Sequence, residues 1–139
     1  MKRSKVYYQN RKTLKELEYD KIKFKPKIED IETWFDILNE QLFGNKLERF
    51  HKVAVKRHKH AHAYFNYWTG KDKDRPPELT MDKIFMNKKM FVEILAHEMI
   101  HLFQHQFKEP LGHGPSFVVW RDNFKLKGLK LYKAAWHET

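Results

Sequence analysis

From residue 28 the apolar positions recur at helical spacing. Ile28, Ile31, Trp34, Phe35, Leu38 and Leu42 fall on one face of a 3.6-residue repeat. The pattern predicts a helix that ends at Gly44-Asn45, a pair suited to the left-handed turn that closes helices. A second helix is predicted over about 88–107, with Asn87 as its cap and Phe91, Ile94, Leu95, Met99, Leu102 and Phe103 as its apolar positions. Between the two, residues 53–55 and 61–67 alternate well enough to read as strands. Residues 79–86 read as a third strand, placed at a sheet edge, and 69–77 as a polar turn segment. Thr13 and Glu16 have capping-box spacing, which predicts a short helix starting near Thr13, with Pro26 separating it from the next element. Pro115 and Gly128 frame a last helix over 115–127, preceded by a loop with Pro110, Gly112 and Gly114. Residues 129–139 carry no decisive pattern. The expected fold class is α+β, with helices packed on a short, mostly antiparallel sheet.

Composition narrows the class. At 139 residues the chain fits one domain, and 41% hydrophobic with 15% aromatic residues is enough for a packed core. A disordered polyelectrolyte is excluded on that ground. The absence of cysteine excludes disulfides, a Cys-based zinc ribbon and a thiol nucleophile. No apolar run approaches the roughly 20 residues of a membrane span. The first twenty residues are basic without an apolar stretch, so no secretory signal is read there. The expectation is an intracellular protein off the membrane, and a monomer.

Charge adds a partner class. Lys and Arg number 28 against 18 Asp and Glu, for a net +10. Residues 1–27 hold ten of the cations and three acids, so this basic N-terminal segment is set apart from a domain over 28–139. Lys2, Arg3, Lys5, Arg11 and Lys12 lie in it, interleaved with Tyr7, Tyr8, Tyr19 and Phe24. Cations beside aromatics can track a phosphate backbone and stack bases. A solvated tail plus a helix that packs its aromatics on the core accounts for the same residues. Lys56 and Arg57, in the stretch HKVAVKRHKH, are a second candidate contact for nucleic acid, and 121–133 is a third basic stretch.

The chemistry concentrates in ILAHEMIHLFQHQ, inside the second predicted helix. His97-Glu98-Met99-Ile100-His101 is an HExxH pentad. Spacing of four places His97 and His101 one turn apart on one helix face. Two imidazoles so placed can bind one Zn²⁺ at about 2.0–2.1 Å each. Glu98 follows the first ligand, where a carboxylate can take a proton from water on the metal. His105 is also four from His101. However, eight residues separate it from His97, about 12 Å of helical rise, so all three cannot share one ion. A catalytic zinc wants a third protein ligand and an open position. The extension HExxHxxGxxH fails, because Gln104 and Phe107 stand where it needs Gly and His. Glu109 and Glu138 sit on no convincing partner helix. His113, in the Gly-rich turn LGHGPSF, is the better candidate, with a plain loop histidine as the alternative.

HEMIH followed by GHGPSF resembles the SprT-like metalloproteases, including the Spartan type that degrades proteins crosslinked to DNA. The stretch WFDILNEQLFGNKL, with Trp34, Phe35, Asn39, Phe43, Gly44 and Leu47, is similar to that family's opening helix. The resemblance spans roughly residues 28–127. It implies a small zincin-like core and a Zn²⁺ cofactor held by His97, His101 and His113, with Glu98 as the catalytic acid-base residue. Three features depart from the family. There is no Cys-rich ribbon, residues 1–27 match no known pattern, and the loop between the second and third ligands is short.

The expected function is therefore a zinc-dependent endopeptidase, associated with single-stranded or junction-like DNA and cleaving DNA-bound or DNA-crosslinked proteins. Two alternatives stand beside it. One is a zinc protease that processes a specific protein without DNA. The other is a non-catalytic zinc module that binds nucleic acid. His60, His62, Tyr64 and Tyr67 lie on or beside the second strand and within reach of a cleft, although packing or surface roles are the simpler account of each.

Overall fold

The computed structural model describes residues 3–133. Lys2 and Glu138 therefore lie outside the described residues, as does most of the patternless tail. The chain runs α1 (Lys5–Lys15), α2 (Ile28–Phe43), β1 (Lys52–Val55), β2 (Ala63–Asn66), a 3₁₀ turn (Gly70–Asp72), β3 (Glu78–Met81), α3 (Lys88–Gln106), α4 (Pro115–Val118) and α5 (Arg121–Leu126).

The α2 helix forms as its apolar spacing predicts. Ile31, Trp34, Phe35, Leu38 and Leu42 are all buried, whereas Ile28, in the first turn, is exposed. Asp30 Oδ2 accepts from the Lys27 backbone N–H at 2.8 Å and satisfies one donor at the start. Gly44 closes the helix at φ +60°, a conformation that costs other residues a Cβ clash. Asn39 then ties down the following loop, exchanging hydrogen bonds of 3.0 and 3.1 Å with Leu47.

The α1 helix differs from expectation. It starts at Ser4, whose Oγ accepts from the Tyr7 N–H at 3.1 Å, and Thr13 falls inside it. Thr13 Oγ1 donates to the Gln9 carbonyl one turn back, so this hydroxyl caps nothing. No Gly or Pro interrupts 5–15, and the earlier cap prevails. The helix is not a loose appendage. Leu14 is 1% exposed in the main core, and Gln41 Nε2 on α2 donates to the Tyr7 carbonyl at 2.9 Å.

The sheet corrects the predicted topology. Its order is β1-β3-β2, with β1 parallel and β2 antiparallel to β3. It is mixed rather than mostly antiparallel, and the third strand is its centre rather than an edge. Burial explains the placement. Leu79 and Met81 are fully buried, and they align with Val53 and Val55 on one side and with Phe65 and Ala63 on the other. The strand also stops early. Asp82 Oδ1 accepts from the Lys83 N–H at 2.8 Å, turning the chain, and Phe85 instead forms a lone antiparallel bridge with Phe24.

The predicted last helix divides into α4 and α5. The break at Val119 and Trp120 lets the indole turn inward, 4.6 Å from the Phe43 ring and 5.0 Å from Phe103. No helix among the described residues is long and apolar enough to cross a membrane.

Candidate metal centre

The α3 helix carries the site. Asn87 Oδ1 caps it by accepting from the Met90 N–H at 2.8 Å. Every residue from Phe91 to Leu102 is buried, so the helix runs through the core and its ligands rest on a rigid element. His97 is 1% exposed and His101 8%. The loop after α3 turns back on itself and brings His113 over them from the rim of a cleft.

The three imidazoles converge through one atom type. His97 Nε2 lies 3.3 Å from His101 Nε2 and 3.3 Å from His113 Nε2. One ligand atom from each lies within 4.8 Å of the others. The far sides of two rings explain which nitrogen is available. His97 Nδ1 lies 2.8 Å from the Tyr132 carbonyl, which only accepts, so Nδ1 carries the proton and Nε2 keeps the lone pair. His101 Nδ1 donates in the same way to Gln104 Oε1 at 2.9 Å. Beneath all three rings Phe117 forms an apolar floor, with centroids 4.8 to 5.5 Å away.

Electrostatics favour metal-ready ligands. Burial, then the neighbouring His101, lowers the His97 pKa to about 3. Burial also lowers those of His101 and His113. All three are neutral donors near pH 7, the form a metal needs. Three clustered neutral imidazoles, two of them with the outer nitrogen hydrogen-bonded, fit a divalent ion of the zinc type.

Glu98 stands beside this cluster, with Oε1 3.7 Å from His97 Nε2. It is 3% exposed, and burial pushes its pKa up to about 8. A divalent cation on the three imidazoles would oppose that shift and favour the ionised carboxylate, the form that can take a proton. The cleft in front holds about 310 Å³ and is lined by His97, Glu98, His101 and His113 together with Ala61, Ala63, Tyr64, Phe65, Tyr67, Leu111 and Gly112. Strand β2 forms one wall, and the other side of that wall pairs with β3.

Tyr64 and Tyr67 reach the cleft, whereas His60 and His62 do not line it. His105 faces a separate hollow with Glu48, Asp74 and Lys108. Glu109 is exposed, and its N–H closes α3 on the Gln104 carbonyl. Arg3, Lys5, Arg11 and Lys12 are exposed on or beside α1, with Arg3 stacked 4.1 Å over Tyr7. Lys56 and Arg57 are exposed just beyond β1. None of these cations lines the cleft.

Two contributors escape a sequence reading. Gln104 is fully buried; its Oε1 also accepts from Gly112 N–H at 3.3 Å, and its Nε2 donates to the Gly112 carbonyl at 3.1 Å and to Ser116 Oγ at 3.0 Å. It thus joins the second ligand to the loop of the third. Its signal was helical spacing, three residues after His101. The Tyr132 carbonyl is a backbone group and leaves no signal in residue type.

The model of the SprT-like family matches residues 31–132. Comparison with curated proteins finds no match.

Proposed function

Since the chain belongs to the SprT-like family, a metalloprotease type of domain, we propose that it is a zinc-dependent endopeptidase that cleaves DNA-associated proteins. The convergence of His97, His101 and His113 beside a buried Glu98 at the foot of a cleft carries this reading. Zn²⁺ held by those three imidazoles supplies a Lewis acid for the scissile carbonyl and acidifies water at neutral pH.

The rest is done by the chain itself. Glu98, beside the metal ligands without being one of them, takes the proton of the attacking water and hands it on to the leaving amine. Tyr132 and Gln104 keep two imidazoles in the tautomer that presents Nε2. Phe117 excludes water from below the ligands. The substrate main chain extends along β2, the outer strand that walls the cleft, so recognition falls on backbone more than on side chains. Such a site is tolerant of sequence, and selectivity then comes from co-localisation on DNA through the exposed cations.

The test is cleavage of a basic DNA-binding protein, with and without single-stranded DNA, by wild type and by Glu98→Gln. Cleavage by wild type alone, and only with DNA, is the expected result. Equal cleavage without DNA would overturn the DNA dependence and leave the protease. Undiminished cleavage by Glu98→Gln would overturn the role of the carboxylate.

A further inference from the structure

One fully buried carboxylate takes no part in that chemistry. Glu93 lies on α3 one turn before His97 and is 0% exposed. Burying a carboxylate is costly unless donors compensate it. Three do so here. Glu93 Oε2 accepts from the Lys130 backbone N–H at 2.6 Å and from the Tyr19 hydroxyl. Glu93 Oε1 accepts from the Tyr132 hydroxyl at 3.3 Å.

Two of these donors belong to residues flanking Leu131, in a segment with neither helix nor strand to fix it. The same segment supplies the Tyr132 carbonyl, 2.8 Å from His97 Nδ1. One end of a short stretch of backbone is thus held by Glu93, and its carbonyl sets the proton position on a ligand one helical turn away. A hydrogen bond to the outer nitrogen of a metal-binding imidazole fixes its tautomer and orientation and raises its basicity.

We propose that Glu93 is a positioning residue of the metal centre: by gripping residues 130–132 it holds the Tyr132 carbonyl on His97 Nδ1. The Tyr19 hydroxyl, from the basic N-terminal segment, completes the set of donors and does not itself touch the gripped backbone. This inference rests on the reading of His97, His101 and His113 as the metal site.

The test uses the full chain and Zn²⁺ alone, titrated against a chromophoric chelator. Wild type, His97→Ala, Glu93→Gln and Tyr19→Phe are compared. The second readout is the downfield proton resonance of the His97 Nδ1–H in the folded protein. Glu93→Gln is expected to weaken zinc binding by about 10–100-fold and to shift or broaden that resonance. Tyr19→Phe removes one donor but keeps those from residues 130 and 132, and should lose clearly less than Glu93→Gln in both. Wild-type affinity together with an unmoved resonance in Glu93→Gln would overturn the proposal, whatever happens to stability. So would an equal loss in Tyr19→Phe. Should Glu93→Gln fail to fold, Glu93→Asp keeps the charge and withdraws the oxygens by one methylene, and the same two outcomes decide. An unchanged zinc affinity in His97→Ala would strike the metal-site reading itself, which keeps the two failures apart.

Discussion

Glu98 occupies a place where a carboxylate weakens the fold. It is buried, its pKa is driven up by burial alone, and no cation pairs with it among the described residues. An amide of the same shape avoids the penalty of ionisation. Glu98→Gln should therefore stabilise the metal-free protein at neutral pH by roughly 1–3 kcal/mol while abolishing cleavage. Thermal unfolding of the two apo proteins at one pH checks the first half, and a peptidase assay the second. A destabilised variant would mean that the carboxylate makes favourable contacts in the apo state. Gln104 is the opposite case, a buried amide whose oxygen and nitrogen both have partners. Gln104→Leu leaves the His101 Nδ1–H and the Gly112 backbone groups without partners. The expected cost is about 1–3 kcal/mol per buried group left unsatisfied, and about 10–100-fold in metal affinity. Chemical denaturation and chelator competition read these separately. Loss of stability with unchanged affinity would reduce Gln104 to a loop anchor.

At the scale of elements, α1 decides whether the basic segment is tail or fold. Leu14 enters the core beside α2, and Asn10 Nδ2 donates to Glu40 Oε1 at 3.2 Å. Leu14→Ala should cost about 2–5 kcal/mol, the range for an apolar side chain removed from a packed interior. Urea unfolding measures it, and a cost near zero would mark α1 as loosely attached. The same element shows where sequence stops being informative. The α2 and α3 helices were legible because apolar spacing, Asn87 and Gly44 agreed on their limits. Thr13 misled because a capping-box spacing is a local pattern, and Ser4, which serves as the cap, lay in a stretch without apolar periodicity. β3 was misplaced because strand order is set by long-range burial: Leu79 and Met81 look alike at an edge or in the centre. The split between α4 and α5 follows from Trp120 finding Phe43 and Phe103, partners far away in sequence. The pentad named two of the clustered histidines and the Gly-rich turn a third. The carbonyl of Tyr132 could not be read from residue types at all.

Across the whole molecule the charge and the cleft are separate. The lining of the cleft holds no Lys or Arg, while the cations proposed to bind DNA are exposed elsewhere, at α1 and beyond β1. DNA bound by them does not need to enter the cleft, so binding and cleavage should respond to different substitutions. Deleting residues 1–27 is a poor way to show this, because it also removes Leu14 from the core. Point substitutions at exposed positions are cleaner. Each phosphate neutralised on single-stranded DNA contributes about −0.7 to the slope of log K against log salt. If Lys56 and Arg57 each hold one phosphate, the double substitution to Ala should flatten the slope by about 1.4. Arg3→Ala with Lys5→Ala should do the same from α1. Neither pair should alter zinc content or cleavage of a short unstructured peptide. Fluorescence anisotropy across a salt series checks the slopes. A slope unchanged by both pairs would remove these cations from any DNA contact. A slope lost from one pair alone would locate the DNA path on that side of the molecule, and the crosslinked or bound protein would then have to reach β2 from there.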